Sequence, residues 1–326
     1  MPKSYRILSL DGGGIRGLLT AVWLERLERK LKVTPEKPLR EHFDLIAGTS
    51  TGSILACAVS LGIPCKTIID LYVKKGRTVF PAAASRLWSR FRRTFSDGLS
   101  APKYDGQGLE EVLRDVFGTA TLGELAVKPT VVTAYDVFTR SPVVFKNTRE
   151  RYAELPVWQV CKASCSAPTF FPATLMEINE AECPLVDGGV VANNPTACAI
   201  AEGVLVNKKL SAKQRVPLEK FVVASFGTGH ATRSISPQEA QEWGALEWLV
   251  PIIDVLFDGS SDAVDYIASQ LIEESRYFRF QTKLDDAYDD MDNADTTNLK
   301  ALLAIANRFL NDEEGDKQLE RLVKCI

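Results

Sequence analysis

Short apolar runs alternate with amphipathic stretches along most of the chain. Runs of apolar, often β-branched residues predict strands at about 5–11, 43–47, 129–136, 142–146, 184–187 and 220–226. Apolar residues spaced three and four positions apart predict helices at about 17–32, 51–61, 66–76, 107–116, 157–164, 193–206, 263–273 and 297–310. Such alternation of strands and helices is typical of an α/β fold.

Composition narrows the class of protein. The chain has 326 residues, of which 45% are hydrophobic and 25% charged, and it shows no repeat or low-complexity linker, so we expect one domain. A net charge of -3 argues against a dedicated nucleic-acid binder. No apolar run is long enough to span a membrane, and the first residues lead directly into a strand without a signal peptide. We therefore expect a cytoplasmic protein.

The residues that commonly bind metals do not form a site in this sequence. Only two histidines occur, His42 and His230, which excludes a metal centre with several histidines. The seven cysteines are an odd number and lie mostly among small apolar residues, as reduced core cysteines do. The acidic stretch 284–295 lacks the glycine and final glutamate of an EF-hand loop. We expect neither a metal nor a cofactor.

A nucleophile elbow is predicted where the strand at 43–47 meets the helix at 51–61. The intervening residues Gly48-Thr49-Ser50-Thr51-Gly52 match the pattern G-x-S-x-G. In such a turn the backbone at the serine is strained and raises its hydroxyl above the sheet, and the glycines leave space around it. Ser50 is therefore the candidate nucleophile, although a plain helix-capping turn also fits this pattern.

A glycine-rich turn follows the first strand. Its sequence, Asp11-Gly12-Gly13-Gly14-Ile15-Arg16-Gly17, leads into the next helix, so several backbone N–H groups can point into one concavity that binds anionic oxygen. Gly12, Gly14 and Gly17 also match the dinucleotide-binding pattern G-x-G-x-x-G. That function requires an acid at the end of the second strand, whereas Asp44 lies at its beginning. An oxyanion hole fits better.

A candidate base is Asp187, which ends the strand at 184–187 and is followed by two glycines. Its carboxylate could reach a serine hydroxyl on a neighbouring strand, and partial desolvation would raise its pKa toward neutrality. His230 follows another strand end, and the order Ser50, Asp187, His230 is that of an α/β-hydrolase triad. The residue pattern leaves both a dyad and a triad open.

Residues 77–103 form an apparent insertion rich in arginines and aromatic residues. Such a segment suits either contact with lipid headgroups or a solvated surface lid. The residues that would make the membrane contact are Arg86, Trp88, Arg90, Arg92 and Arg93. From about residue 235 onward the pattern predicts a helical C-terminal region.

The three motifs together resemble the patatin-like phospholipase family, which includes bacterial members. Further stretches resemble the same family in the same order, including 103–109, 162–172, 189–195 and 225–229. The resemblance implies a three-layer αβα fold with a central, mostly parallel sheet. It also implies a lipid acyl hydrolase that cleaves fatty-acyl esters of membrane phospholipids or galactolipids.

The family's functional residues carry over to positions in this chain. By resemblance, Ser50 is the nucleophile and Asp187 is the general base of a dyad that needs no histidine. The amides of Gly12, Gly13 and Gly14 would form the oxyanion hole, and Arg16 would steady that loop or meet lipid phosphate. No metal or cofactor is implied.

Overall fold

Eight strands form one sheet in the computed structural model, which describes residues 4–81, 102–248, 251–285 and 287–326. The strands are β1 (Tyr5–Leu10), β2 (Leu45–Thr49), β3 (Thr130–Asp136), β4 (Ser141–Lys146), β5 (Thr174–Ile178), β6 (Ala181–Asp187), β7 (Phe221–Phe226) and β8 (Tyr277–Phe280). They lie in the order β5-β6-β3-β2-β1-β7-β8, and β4 also pairs with β3.

Helices follow most of the strands. They are α1 (Gly17–Leu31), α2 (Thr51–Leu61), α3 (Cys65–Val79), α4 (Gln107–Phe117), α5 (Glu150–Ala153), α6 (Val157–Ser164), α7 (Gly189–Ala192), α8 (Thr196–Lys209), α9 (Pro237–Glu242), α10 (Ala245–Trp248), α11 (Pro251–Leu271), α12 (Thr296–Asn311) and α13 (Glu313–Cys325). Within the described ranges, none is both long and apolar enough to cross a bilayer.

The centre of the sheet is parallel and one end is antiparallel. Strands β3, β2, β1, β7 and β8 run in the same direction, whereas β4 and β6 run against β3 and β5 runs against β6. The carboxyl ends of β1 and β2 therefore meet at one edge, where Leu10 lies beside Gly48. We call this edge the catalytic edge, because the candidate residues of both glycine motifs lie there.

Side chains of β1 alternate between two apolar cores, because successive residues of a strand point to opposite faces. Leu8 and Leu10 join a core with helices α1 and α2, whereas Ile7 joins a second core with Ala199 and Ile200 of α8. A sheet with apolar residues on both faces must be covered by helices on both faces. The predicted three-layer α/β architecture is confirmed.

The six predicted strands are all present, but the sequence patterns missed strands β5 and β8 and the short helices α5 and α7. Strands β5 and β8 are short edge strands, and only alternate residues in them are buried, so their apolar signal is weak. Helix α13 lies in the C-terminal region expected to be helical, although its bounds were not predicted. The predicted helix at 263–273 is the second half of the longer α11, and the region after residue 235, expected to be helical, also contributes β8.

Residues 82–101 of the arginine-rich insertion lie outside the described residues. The proposed membrane-contact residues Arg86, Trp88, Arg90, Arg92 and Arg93 are among them. The parts of the insertion that are described attach to the loop before α12. There Arg77 pairs with Asp295 at 3.2 Å, and Lys103 pairs with Asp292.

Candidate active site

Ser50 occupies the sharp turn between β2 and α2. Its φ of 53° and ψ of -126° are strained for a residue with a side chain. The flanking glycines are required by close packing. A Cβ on Gly48 would lie 2.2 Å from the Gly52 carbonyl oxygen, and one on Gly52 would lie 2.1 Å from that of Leu10. The local sequence thus produces the elbow that its pattern predicted.

Asp187 lies beside Ser50 because β6 runs antiparallel to β3. This register pairs Asp187 with Ala134, one residue beyond the Thr133 that pairs with Thr49. The Ser50 Oγ donates a hydrogen bond of 2.6 Å to Asp187 Oδ2. The Gly189 amide donates one of 2.7 Å to the other carboxylate oxygen, Oδ1. The structure therefore brings together the two residues predicted as nucleophile and base.

The electrostatic environment of Asp187 suits a base. The side chain is almost fully buried, with 1% exposure, and no cation pairs with it among the described residues. Burial raises the pKa of this carboxyl to about 7, because desolvation outweighs the two hydrogen bonds that favour the charged form. A carboxylate with a pKa near neutrality can accept a proton from a hydroxyl far better than an ordinary surface aspartate.

The glycine-rich turn lies across the catalytic edge next to the elbow, but its three amides are not equivalent. The Gly12 amide donates to the Asn193 carbonyl at 3.0 Å. For Gly13 and Gly14, the described part of the chain offers no acceptor. Gly14 also lines the same pocket as Ser50. Of the three amides predicted as oxyanion donors, those of Gly13 and Gly14 are therefore available to a ligand, whereas that of Gly12 is already bonded.

Arg16 is buried beneath this turn. Its Nε donates to the Gly13 carbonyl and its Nη1 to the Asp289 carbonyl, each at 3.4 Å. Of the two roles that the sequence resemblance implied, these contacts favour steadying the loop, because the guanidinium already binds protein carbonyls. Arg16 thus holds the Gly13 carbonyl, and the Gly14 amide of the same peptide bond remains available.

The sequence patterns missed Arg279, which lies in β8. Its Nη2 donates to Asp11 Oδ2 at 2.6 Å, and its Nη1 donates to Ser225 Oγ at 2.9 Å. Both Asp11 and Arg279 are nearly buried, so this ion pair ties the first residue of the glycine-rich turn to the sheet edge. A buried aspartate requires a partner, but nothing local could identify one that is 268 positions away.

An apolar pocket opens beside Ser50 and Asp187. Its walls come from both halves of the chain and are almost entirely apolar. They include Ile54, Tyr72, Leu109, Phe171, Phe257 and Met291. Apolar walls of this kind suit a hydrocarbon chain next to the serine hydroxyl. Phe257 and Met291 lie beyond residue 235, outside the stretches that carry the sequence motifs.

His230 does not join the serine and the aspartate. Both Asp187 oxygens are already bonded, and no hydrogen bond or ion pair links His230 to either candidate residue in the part of the chain that is described. Its backbone instead pairs with Thr282 and Leu284. The geometry therefore shows a direct Ser–Asp contact and does not assemble the Ser–Asp–His triad.

The residues behind the two other sequence alternatives, a dinucleotide site and a calcium loop, make contacts within the protein. Asp44 pairs with Arg6 at 2.9 Å, at the edge of the sheet opposite the glycine-rich turn, where it could not reach a bound ribose. In the acidic loop, Asp289 accepts from the amides of Thr232 and Arg233. No group of three potential metal-binding side chains converges within the described ranges.

Comparison with known proteins identifies the family. The family model for patatin-like phospholipases matches residues 8–200. Patatin-like protein 2 of Oryza sativa is 30% identical, with 98% of this chain and 86% of that protein covered. Patatin-like protein 2 of Arabidopsis thaliana is 32% identical, with coverages of 98% and 84%. The chain belongs to the patatin-like phospholipase family, and membership supports a lipid ester hydrolase.

A solved structure also aligns with this chain. VipD from Legionella pneumophila aligns with a TM-score of 0.47 and 14% identity, covering 99% of this chain and 67% of that chain.

Proposed function

We propose that the protein is a serine lipid acyl hydrolase of the phospholipase A type, with Ser50 as nucleophile and Asp187 as the only general base. The observation that carries this proposal is the 2.6 Å hydrogen bond from the Ser50 hydroxyl to a buried carboxylate with a raised pKa. A nucleophile and a base within hydrogen-bonding reach are the minimum for acyl transfer through a covalent intermediate.

The reaction begins with attack of Ser50 Oγ on the ester carbonyl carbon while Asp187 takes the hydroxyl proton. The carbonyl oxygen becomes negative and accepts hydrogen bonds from the Gly13 and Gly14 amides. When the tetrahedral intermediate collapses, the bond to the alcohol breaks and Asp187 returns the proton to the leaving lysolipid. A water molecule then gives a proton to Asp187 and attacks the acyl carbon. The bond to Ser50 Oγ breaks, Asp187 returns the proton to Ser50, and the fatty acid is released.

The substrate assignment follows from the pocket and from the family. The apolar walls at Leu109, Phe171 and Phe257 suit the acyl chain of a phospholipid or galactolipid. We also propose that the whole chain is a single catalytic domain. The main core contains residues from both ends of the sequence, such as Leu8 and Leu302, which favours this organisation.

Labelling and product analysis together test the proposal. A fluorophosphonate probe is expected to modify the wild-type protein but not Ser50→Ala, because it reacts with activated serines. Incubation with phosphatidylcholine or galactolipid carrying two different acyl chains should yield free fatty acid and the lysolipid, identified by mass spectrometry. Labelling that persists in Ser50→Ala, or release of the headgroup without a fatty acid, would overturn the assignment.

A further inference from the structure

Helix α11 exposes large apolar side chains where it begins. Ile252, Val255 and Leu256 are 38%, 44% and 44% exposed. Their spacing of three and four places them on one side of the helix. The opposite side is buried through Ile253 and Phe257. We call the three exposed residues the α11 patch. Contiguous exposed apolar residues of this kind mark a surface that contacts something.

The α11 patch lies on the same helical turns as a residue that lines the candidate active site. Phe257, which directly follows Leu256, lines the apolar pocket together with Ser50. The Phe257 ring also covers Gly189, two residues after the catalytic aspartate, where an added Cβ would lie 2.6 Å from the ring. The first two turns of α11 therefore place Phe257 in the pocket wall and the exposed α11 patch on the other side of the helix.

The rest of α11 leads away from the pocket mouth. Further along, Asp265 accepts a hydrogen bond of 2.5 Å from the hydroxyl of Tyr277, which begins β8. Since β8 is parallel to β7 and β1, Tyr277 lies toward the edge of the sheet opposite the catalytic edge. A partner that covers the pocket mouth would thus contact the α11 patch but not Leu271, which is exposed at the end of the helix.

Charge restricts what the α11 patch can bind. Residues 234–275 include no Lys, Arg or His, and α11 itself carries four aspartates, Asp254, Asp258, Asp262 and Asp265. A second copy of this face, or a strongly anionic membrane, would bring like charges together. A zwitterionic lipid surface has no net charge, and its outer ammonium groups are opposite in sign to the aspartates.

Aromatic residues next to the patch fit the same partner. Trp243 and Trp248 pack edge to face, with ring centroids 5.3 Å apart, in the segment just before α11. Both tryptophans are partly exposed. Tryptophan is favoured at membrane interfaces because its apolar ring and polar N–H suit the boundary between headgroups and acyl chains.

We propose that the α11 patch docks the protein on a zwitterionic lipid surface and holds the pocket mouth against it. This inference rests on the proposed function, because a lipid acyl hydrolase must draw its substrate from such a surface. It assigns membrane contact to an acidic, apolar element, in contrast to the arginine-rich segment that the sequence suggested.

A matched pair of variants tests the docking. Leu256→Glu places a charge in the α11 patch. Leu271→Glu places the same charge on a leucine of the same helix that is 49% exposed and about 22 Å farther along it. In sedimentation with phosphatidylcholine vesicles, Leu256→Glu should lower binding about tenfold or more, and Leu271→Glu should leave it unchanged. Both variants should hydrolyse a soluble short-chain ester like the wild type. Replacing part of the phosphatidylcholine with phosphatidylglycerol should weaken wild-type binding.

Several outcomes would overturn the docking. Equal loss in both variants would indicate a partner that covers the whole helix, and unchanged vesicle binding by Leu256→Glu would remove the patch from membrane contact. If sedimentation equilibrium shows a wild-type dimer that Leu256→Glu dissociates, the face binds a second copy. The Ser50→Ala protein separates the two proposals: it should still bind vesicles, so failure of catalysis and failure of docking are distinguishable.

Discussion

The tripeptide Asp-Gly-Gly occurs twice at the catalytic edge, and the two copies have different surroundings. Asp11 follows β1, and Asp187 ends β6. Each aspartate is 1% exposed, so each pays the same kind of desolvation penalty. Asp11 faces the Arg279 guanidinium, whereas Asp187 faces the hydroxyl of Ser50 and has no cationic partner in the described chain.

This difference separates a structural anion from a candidate base. Burial raises the pKa of Asp11 to about 6, with Arg279 opposing the rise, so its carboxylate is charged at neutral pH and holds the arginine. The pKa of Asp187 rises to about 7, because hydrogen bonds alone oppose desolvation. The tripeptide Asp-Gly-Gly can therefore provide either a structural anion or a candidate base. The side chain that the fold places against the aspartate decides which of the two it provides.

The largest expected effect is on catalysis at Asp187. Asp187→Asn keeps the shape but cannot accept the Ser50 proton, so kcat/KM for a soluble ester should fall about 10³- to 10⁴-fold. Thermal unfolding should show stability equal to or above that of the wild type, because a buried carboxylate without a cation is removed. The Ser50→Ala, Asp187→Asn double variant should be no worse than either single variant. Additive losses would contradict a coupled dyad.

The matching substitution at Asp11 is expected to act on stability. Asp11→Asn leaves the buried Arg279 charge with only the longer contact to Asp265, at 3.8 Å, and should lower the free energy of unfolding by up to about 3–5 kcal/mol. Urea titration measures the change. Adding Arg279→Met should recover part of the loss, since it removes the stranded charge. A single variant as stable as the wild type would show that the ion pair does not hold the glycine-rich turn.

The pH dependence distinguishes the two carboxyls further. Activity on a soluble ester should rise with pH and level off above about 7, as Asp187 loses its proton. Both folded-state pKa values are raised, so the folded protein retains protons that the unfolded chain has lost, and the free energy of unfolding should decrease as pH rises from about 4. The Asp11 contribution ends near pH 6 and the Asp187 contribution near pH 7.

Asp187→Asn is the control for this titration. Urea unfolding at about pH 5, 6 and 8 measures how the free energy of unfolding changes with pH. In the variant, the decrease between about pH 6 and 7 should be absent. An identical slope in the variant and the wild type would assign the titration to another group.

The smallest expected effect concerns the histidine. His230→Ala should retain kcat/KM within about twofold, because His230 contacts neither Ser50 nor Asp187. The same ester assay measures it. A loss as large as that of Asp187→Asn would restore the triad, and Asp187 would then act through the histidine.

Local patterns predicted the elbow and the glycine-rich turn well, for a physical reason. The turn at Ser50 requires glycines two positions before and after it, and the φ of 155° at Gly13 requires a glycine there. Both requirements concern neighbouring residues, so a local sequence pattern can detect them. The walls of the pocket could not be predicted from local sequence patterns. Phe257 and Met291 reach it from segments whose apolar residues look like ordinary core or surface positions until the chain is folded.

The amides of the turn illustrate the limit of sequence reasoning. Gly12, Gly13 and Gly14 are identical in sequence, and all three were predicted as oxyanion donors. In the folded protein, the Asn193 carbonyl accepts a hydrogen bond from the Gly12 amide, and the amides of Gly13 and Gly14 remain available. That contact joins segments about 180 positions apart, for which no local pattern exists.

The sequence by itself determined the α/β class, the strained turn at Ser50, the glycine-rich turn and the strand end at Asp187, because backbone geometry and apolar periodicity act over a few residues. The tertiary structure decided which aspartate meets a cation and which meets the hydroxyl of Ser50. It also decided which amides stay available and what walls the pocket. These properties depend on strand order and on contacts between distant segments, since the surroundings of a buried charge set its pKa.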